Sequence, residues 1–233
     1  KMKKQRKIIN YEGWELKFFD HAKNFRTYQL QLIKKYLKGN VAEVGPGNGT
    51  NLNYYIKYPK KVDLFEPTKK LYLRLKANFK KDNKISVYNK KLITKKKYNV
   101  ILYLDVLEHI EDDKQEIIKA YKSIKNNGYL VINVPAFSHL YSQFDKDVGH
   151  YRRYEKKDFK LILKGIKFKK ISFTYYDSIG YLLSLLSSIF SLNYKKNFKK
   201  KIILWDKLIP ISKVFDFLTC NNFGKSLLIV IKK

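Results

Sequence analysis

The chain has 233 residues, and its 50 Lys and Arg against 20 Asp and Glu give a formal charge of +30. That length buries a core without help from metals or disulfides, and the single cysteine, Cys220, excludes an intrachain disulfide framework and a multi-cysteine metal centre. The charge favours anionic partners, yet the lysines run along nearly the whole chain among many Asn, Ile and Tyr residues, as compositional bias produces.

Residues 2–38 read as a helical lead-in, with Phe25, Leu30, Ile33 and Leu37 at helical spacing ahead of Gly39. Residues 8–19 mix charged with apolar side chains and lack the apolar core of a secretory leader, which points to a cytoplasmic protein. An apolar strand at 41–44 runs into a glycine-rich turn and a helix at 50–57. Then follow a strand at Lys61–Phe65, a helix at 68–79 with Leu71, Leu75 and Phe79 on one face, and a strand at Ile85–Tyr88. Tyr98–Leu104 is apolar on both faces, as suits a central parallel strand. A helix at 113–124 precedes a strand at 129–134, stopped by Pro135. This alternation predicts an α/β fold.

The rhythm changes after Pro135. Residues 135–155 read as a long polar and aromatic loop, 156–164 as a helix and 167–173 as a strand. Residues 178–192 carry no charge over 15 positions, too short for a membrane span of roughly 20 residues. They are expected to form a buried or interfacial helix ahead of the basic run 194–201. A second apolar stretch at 202–218 and a closing strand at 226–231 follow. The seven strands predict a Rossmann-like, mostly parallel sheet with helices on both faces and a C-terminal helical insertion, in one domain spanning 2–233.

Three segments carry chemistry. Val41-Ala-Glu43-Val-Gly45-Pro-Gly47-Asn-Gly49 joins a strand to a helix, where glycine permits a sharp turn and close approach of a ligand to the backbone. Its glycines fall at every second position, unlike the dinucleotide spacing. Glu66 ends the second strand, where an acidic side chain accepts hydrogen bonds from ribose hydroxyls. Asp105-Val-Leu-Glu108-His109-Ile leaves the fourth strand, and its Asp105, Glu108 and His109 share a face if the segment is helical.

In this order the three segments resemble those of class I S-adenosylmethionine-dependent methyltransferases, over roughly residues 40–155. Asn133-Val-Pro135-Ala-Phe137, the run Gly149-His150-Tyr151-Arg152-Arg153-Tyr154 and the ending Phe223-Gly224-Lys-Ser226 resemble a branch with small-molecule, glycan or lipid-linked acceptors. The resemblance implies S-adenosylmethionine as cofactor, with S-adenosylhomocysteine as product. It places Glu43, Gly45 and Gly47 around the amino-acid moiety, Glu66 on the ribose, and Leu92, Asp105 and Val106 beside the adenine. Asn89-Lys-Lys91-Leu92 departs from the family pattern by its lysines. By the same resemblance 40–134 is the cofactor-binding core, and 135–233 supplies the substrate loop, the helical insertion and the closing strand.

Methyl transfer needs alignment and, for a hydroxyl acceptor, a base. His150 in the substrate loop and His109 are the candidates. Tyr151, Arg152, Arg153 and Tyr154 are candidate acceptor contacts, the arginines gripping an anionic group; loop-ordering ion pairs are the alternative for them. No metal is expected. A second possibility follows the metal site of some quinone-pathway and RNA-end methyltransferases, with Asp105, Glu108 and His109 as ligands and His150 completing the set. Nucleic acid is not the expected acceptor, because no Asn/Asp-Pro-Pro-aromatic tetrapeptide follows the fourth strand and no RNA-binding module is visible. The alternatives are a nucleic-acid methyltransferase, a dinucleotide oxidoreductase, and a peripheral membrane protein docked through the apolar segment and its neighbouring lysines.

Overall fold

A computed structural model of the chain describes residues 13–92, 95–189 and 194–233; the expectations for 2–12 and 190–192 lie outside the described residues. Its strands are β1 (Asn40–Val44), β2 (Lys61–Phe65), β3 (Ile85–Tyr88), β4 (Tyr98–Leu104), β5 (Ile124–Pro135), β6 (Lys170–Tyr176) and β7 (Ser226–Lys232). They form one sheet in the order β3-β2-β1-β4-β5-β7-β6. Strands β1 to β5 pair in parallel, and β7 runs antiparallel to both β5 and β6.

The helices are α1 (Leu16–Phe19), α2 (Lys23–Ile33), α3 (Thr50–Tyr55), α4 (Lys69–Asn78), α5 (Asp113–Lys122), α6 (Gln143–Asp147), α7 (Lys156–Ile162), α8 (Ser178–Ile189) and α9 (Phe198–Leu218). The sheet is covered on both faces, and β4 shows why its sequence is apolar from Val100 to Leu104. Val100, Leu102 and Leu104 belong to one core cluster, while Ile101 and Tyr103 belong to the other. Alternate side chains of a strand point to opposite faces, so a central strand needs apolar residues at every position.

Helix ends shift by one or two residues, and three segments differ from expectation by more. Strand β5 begins at Ile124, because Ile124 pairs with Tyr98 before a register shift. Asn127 takes φ 62° there, and a Cβ on Gly128 would meet the Asn99 carbonyl oxygen at 2.7 Å. Strand β6 lies three residues later than 167–173, since its pairing with β7 runs from Lys170 opposite Lys232 to Tyr176 opposite Ser226. Residues 135–155 are not one loop. A 3-10 turn covers Ser138–Leu140, and α6 follows, started by a capping box of Ser142 and Asp145.

Helix α9 ties the C-terminal part to the lead-in. Its Asp206 and Asp216 are 6% and 0% exposed, and each serves the N-terminus of another helix. Asp206 accepts from the backbone amides of Asn24 and Phe25 at 3.1 and 2.9 Å. Asp216 accepts from the amides of Asp177 and Ser178 at 2.8 and 2.9 Å, and from the Tyr28 hydroxyl at 2.9 Å. A carboxylate there satisfies orphan amides and complements the helix dipole. Pro210 lies inside α9 and cannot donate to the carbonyl four residues back. That carbonyl, of Asp206, accepts instead from Asn24 Nδ2 at 3.1 Å. Among the described residues no helix is long and apolar enough to cross a membrane.

Candidate functional site

Strand order reverses between β1 and β4, so their carboxyl ends open a crevice of the kind that binds ligands in α/β sheets. Gly45, Gly47 and Gly49 line the turn after β1 with φ of 64°, 60° and 84°, which only glycine adopts without strain. At Gly45 space demands the same, because a Cβ would meet Val106 Cγ1 at 2.7 Å. Glu66 reaches across from β2, and its carboxylate accepts from the Gly47 amide at 3.3 Å and the Thr68 amide at 2.8 Å. Burial pushes its pKa up, against those hydrogen bonds. Glu43 is 1% exposed and accepts from the Tyr55 hydroxyl at 2.5 Å. Burial raises its pKa to about 7, with Tyr55 and Arg26 opposing.

The lead-in roofs this crevice. Leu16 Cδ1 lies 3.2 Å from where a Gly47 Cβ would stand, and Asp20 accepts from Asn48 Nδ2 at 2.9 Å and Thr50 Oγ1 at 2.5 Å.

Asp105 has φ 59°, which breaks the chain direction after β4. The expected shared face with Glu108 and His109 does not form; only Leu107–His109 make a 3-10 turn. The Asp105 carboxylate turns to Asn133 Nδ2 at 2.6 Å and to Arg26 Nη1 at 3.4 Å. Asn133 Oδ1 in turn accepts from the Tyr176 hydroxyl at 2.8 Å.

Beyond Asp105 a cavity of about 130 Å³ opens, lined by Asp105, Glu108, His109, His150, Arg153, Trp205 and Lys225 among others. One buried carboxylate organises its wall. Asp145, 0% exposed, accepts from His150 Nδ1 at 2.8 Å, Arg153 Nε at 2.9 Å, Arg153 Nη2 at 3.0 Å, and the Ser142 amide and hydroxyl at 2.8 and 3.0 Å. Burial alone would raise its pKa; the bonds from His150 and Arg153 outweigh that and hold it below the ordinary carboxylate range. Asp145 thus fixes the His150 tautomer with its proton on Nδ1 and leaves Nε2 as the lone-pair nitrogen. That Nε2 lies 3.8 Å from Glu108 Oε1. Glu108 Oε2 is buried without a hydrogen-bond partner, and burial followed by the nearby Asp105 charge pushes its pKa well up. The His109 ring packs edge-on against His150 at 4.6 Å. Burial, with a smaller electrostatic contribution from neighbouring His150, lowers its pKa to about 3, so His109 is a weak base at neutral pH.

The arginine and tyrosine run is dispersed rather than gathered. Arg153 lines the cavity but is committed to Asp145. Arg152 pairs with Asp113 at 2.6 Å and donates to the Glu111 carbonyl at 2.9 Å. Tyr154 is 1% exposed, and its hydroxyl donates to Asp113 at 2.9 Å. Both side chains have partners that order the segment, for Arg152 the ion-pair alternative given above. Tyr151 is 48% exposed. Leu92 is buried in the core cluster that holds Phe65 and Tyr88. Arg26 carries no motif and is not singled out by sequence; Lys225 falls inside the Phe223–Ser226 ending, and Asp145 is one of the acids available to the loop-ordering ion pairs of the arginines. Arg26 lies on α2, its side chain 12% exposed, and Lys225 stacks over Trp205 at 4.5 Å.

The family described as a methyltransferase domain matches residues 19–172. None of the curated proteins matches the chain in sequence. In fold the chain is similar to N-methyltransferase NodS from Bradyrhizobium japonicum WM9, with 13% identity, a TM-score of 0.57, and coverage of 91% of this chain and 96% of that one. It is similar to a SAM-dependent methyltransferase from Archaeoglobus fulgidus, with 15% identity, a TM-score of 0.60, and coverage of 94% and 100%. It is also similar to phosphoethanolamine N-methyltransferase 2 of Haemonchus contortus, solved with phosphomonomethylethanolamine and S-adenosylhomocysteine, with 12% identity, a TM-score of 0.64, and coverage of 94% and 57%. At these identities the likeness is one of fold.

Proposed function

This chain belongs to the methyltransferase-domain family, and on that premise we propose that it transfers a methyl group from S-adenosylmethionine to a small-molecule, glycan or lipid-linked acceptor, with His150 as general base. The observation that carries the reading is the His150 imidazole, anchored through Nδ1 on ionised Asp145 at the wall of a cavity next to the β1–β4 crevice. S-adenosylmethionine, when bound, supplies an electrophilic methyl carbon. The residues present fit it: the glycine backbone leaves no room for a Cβ at Gly45, and Glu66 is a buried carboxylate held by uncharged donors from Gly47 and Thr68. Glu66 would accept from the ribose hydroxyls, with Glu43, Gly45 and Gly47 at the amino-acid end and Leu92, Asp105 and Val106 toward the adenine.

His150 takes the acceptor's proton on Nε2. Asp145 stabilises the imidazolium that results, and Arg153 holds Asp145 in place. Calorimetric titration of S-adenosylmethionine and S-adenosylhomocysteine tests the cofactor, with Glu66→Ala as control. Absence of binding by the folded protein would sink the reading. Once an acceptor is found, His150→Gln is expected to lower kcat at least about 100-fold with cofactor affinity unchanged.

A second reading has its own observation. One ligand atom each from Glu108, His109 and His150 lie within 4.8 Å of one another, and the orphaned Glu108 Oε2 offers a buried acceptor. Carboxylate and neutral imidazole together suit manganese or zinc. Asp105 is not in this set, since it is bonded to Asn133 and Arg26. A bound cation would supply Lewis acidity to an acceptor oxygen, and His150 would then be a ligand rather than the base. Titration of manganese and zinc into chelator-treated protein, against Glu108→Gln, decides between the two; no saturable binding removes the metal reading.

A further inference from the structure

Helices α8 and α9 pack as a hairpin, with the Ser178 hydroxyl 3.4 Å from that of Ser212. Its inner side is spent on the protein: Trp205 reaches the cavity, and Asp206 and Asp216 cap other helices. Its outer side is mostly apolar, with exposed Lys207 set between Leu204 and Ile211. On α8 the exposed residues Leu182, Leu186 and Ile189 follow helical spacing, and on α9 Leu204, Ile211 and Phe215 do the same. Phe217 at the end of α9 is 78% exposed. An exposed apolar stripe on this scale marks an interaction surface.

Charge selects the partner. Between residues 178 and 218 the sequence has seven lysines and two acids, and both acids, Asp206 and Asp216, are buried. The outward charge of the hairpin is therefore wholly positive. A second copy placed symmetrically on this face would set one lysine-rich rim against another, which costs energy. A row of leucine and isoleucine offers nothing to a nucleic-acid backbone. We propose that the α8–α9 hairpin lies on anionic lipid, its apolar stripe in the acyl boundary and its lysines among the headgroups. No described helix is long and apolar enough to cross a membrane, so the hairpin lies on the bilayer rather than through it. This inference stands on surface geometry and does not depend on the methyl-transfer reading.

The test is sedimentation of the purified full chain, without cofactor, with vesicles of phosphatidylcholine alone or mixed with phosphatidylglycerol. Binding is expected only to the mixed vesicles, and weaker at high salt. Lys199→Glu and Lys200→Glu each lower it at least about fivefold. Leu186→Ser with Ile189→Ser lowers it about tenfold. All four positions are exposed, and an unchanged thermal melt confirms that the variants fold. Three results overturn the proposal: no vesicle binding by the folded chain, binding that survives the double serine change, or a solution dimer that the double serine change dissociates.

Discussion

Glu66, beside the glycine turn, and Asp145, in the segment after β5, are both buried carboxylates within the same site, yet they are held in opposite ways. Glu66 accepts from the Gly47 amide and from Thr68, with no charged partner among these donors, and burial keeps its pKa up. Asp145 accepts from a guanidinium, an imidazole and a serine, and its pKa falls despite burial. A carboxylate with capacity to spare is prepared for a ligand, whereas a saturated one is scaffold. On this view, changes in the β1–β4 half should move affinity, and changes in the half after Pro135 should move stability.

The sharpest way to break that contrast is Asp145→Asn, which leaves Arg153 as a buried cation without its counterion. Removing one partner of a buried pair costs about 3–5 kcal/mol, so urea unfolding should show a loss of that size. A loss under about 1 kcal/mol would mean that Asp145 does not hold the segment. Glu43→Gln tests the opposite half. With a folded pKa of about 7 against an ordinary 4.5, Glu43 binds a proton more tightly in the folded chain. Its contribution is fully present below the unfolded value and is lost as pH rises toward 7. The variant should equal the parent at pH 4 and exceed it by roughly 3 kcal/mol at pH 8. Thermal melts at the two pH values check this, and equal gains at both would refute the burial argument. Glu66→Ala should weaken S-adenosylmethionine binding about 100-fold in calorimetry while leaving the unfolding midpoint nearly unchanged. The smallest effect is expected for Asn24→Ala, which removes the donor to the Asp206 carbonyl that Pro210 frees. Asn24 is exposed and water can replace it, so about 1 kcal/mol is the ceiling.

The same contrast explains what the sequence disclosed. Gly45, Gly47 and Gly49 were legible because a positive φ leaves a compositional mark, and β4 because burial on both faces does too. Glu66 followed from its place at the end of β2. Arg26, Asp206 and Asp216 act through space, on partners up to 188 positions away in the case of Tyr28 and Asp216, and no local pattern announces them. The partner of Arg152 and Tyr154 was hidden for the same reason: both bond to Asp113, about 40 positions earlier. The boundary of β6 depended on its register with β7, which residues 167–173 do not contain.

The position of β7 carries a consequence for how the molecule is made. It sits between β5 and β6 and supplies the pairing partner for one edge of each. During synthesis β5 and β6 emerge before it, so that edge of β5 stays open and β6 has no sheet to join until β7 has left the ribosome. Unpaired strand edges invite intermolecular pairing. Nascent chains from which β7 has not yet emerged should therefore be protease-sensitive and aggregation-prone across β5 and β6.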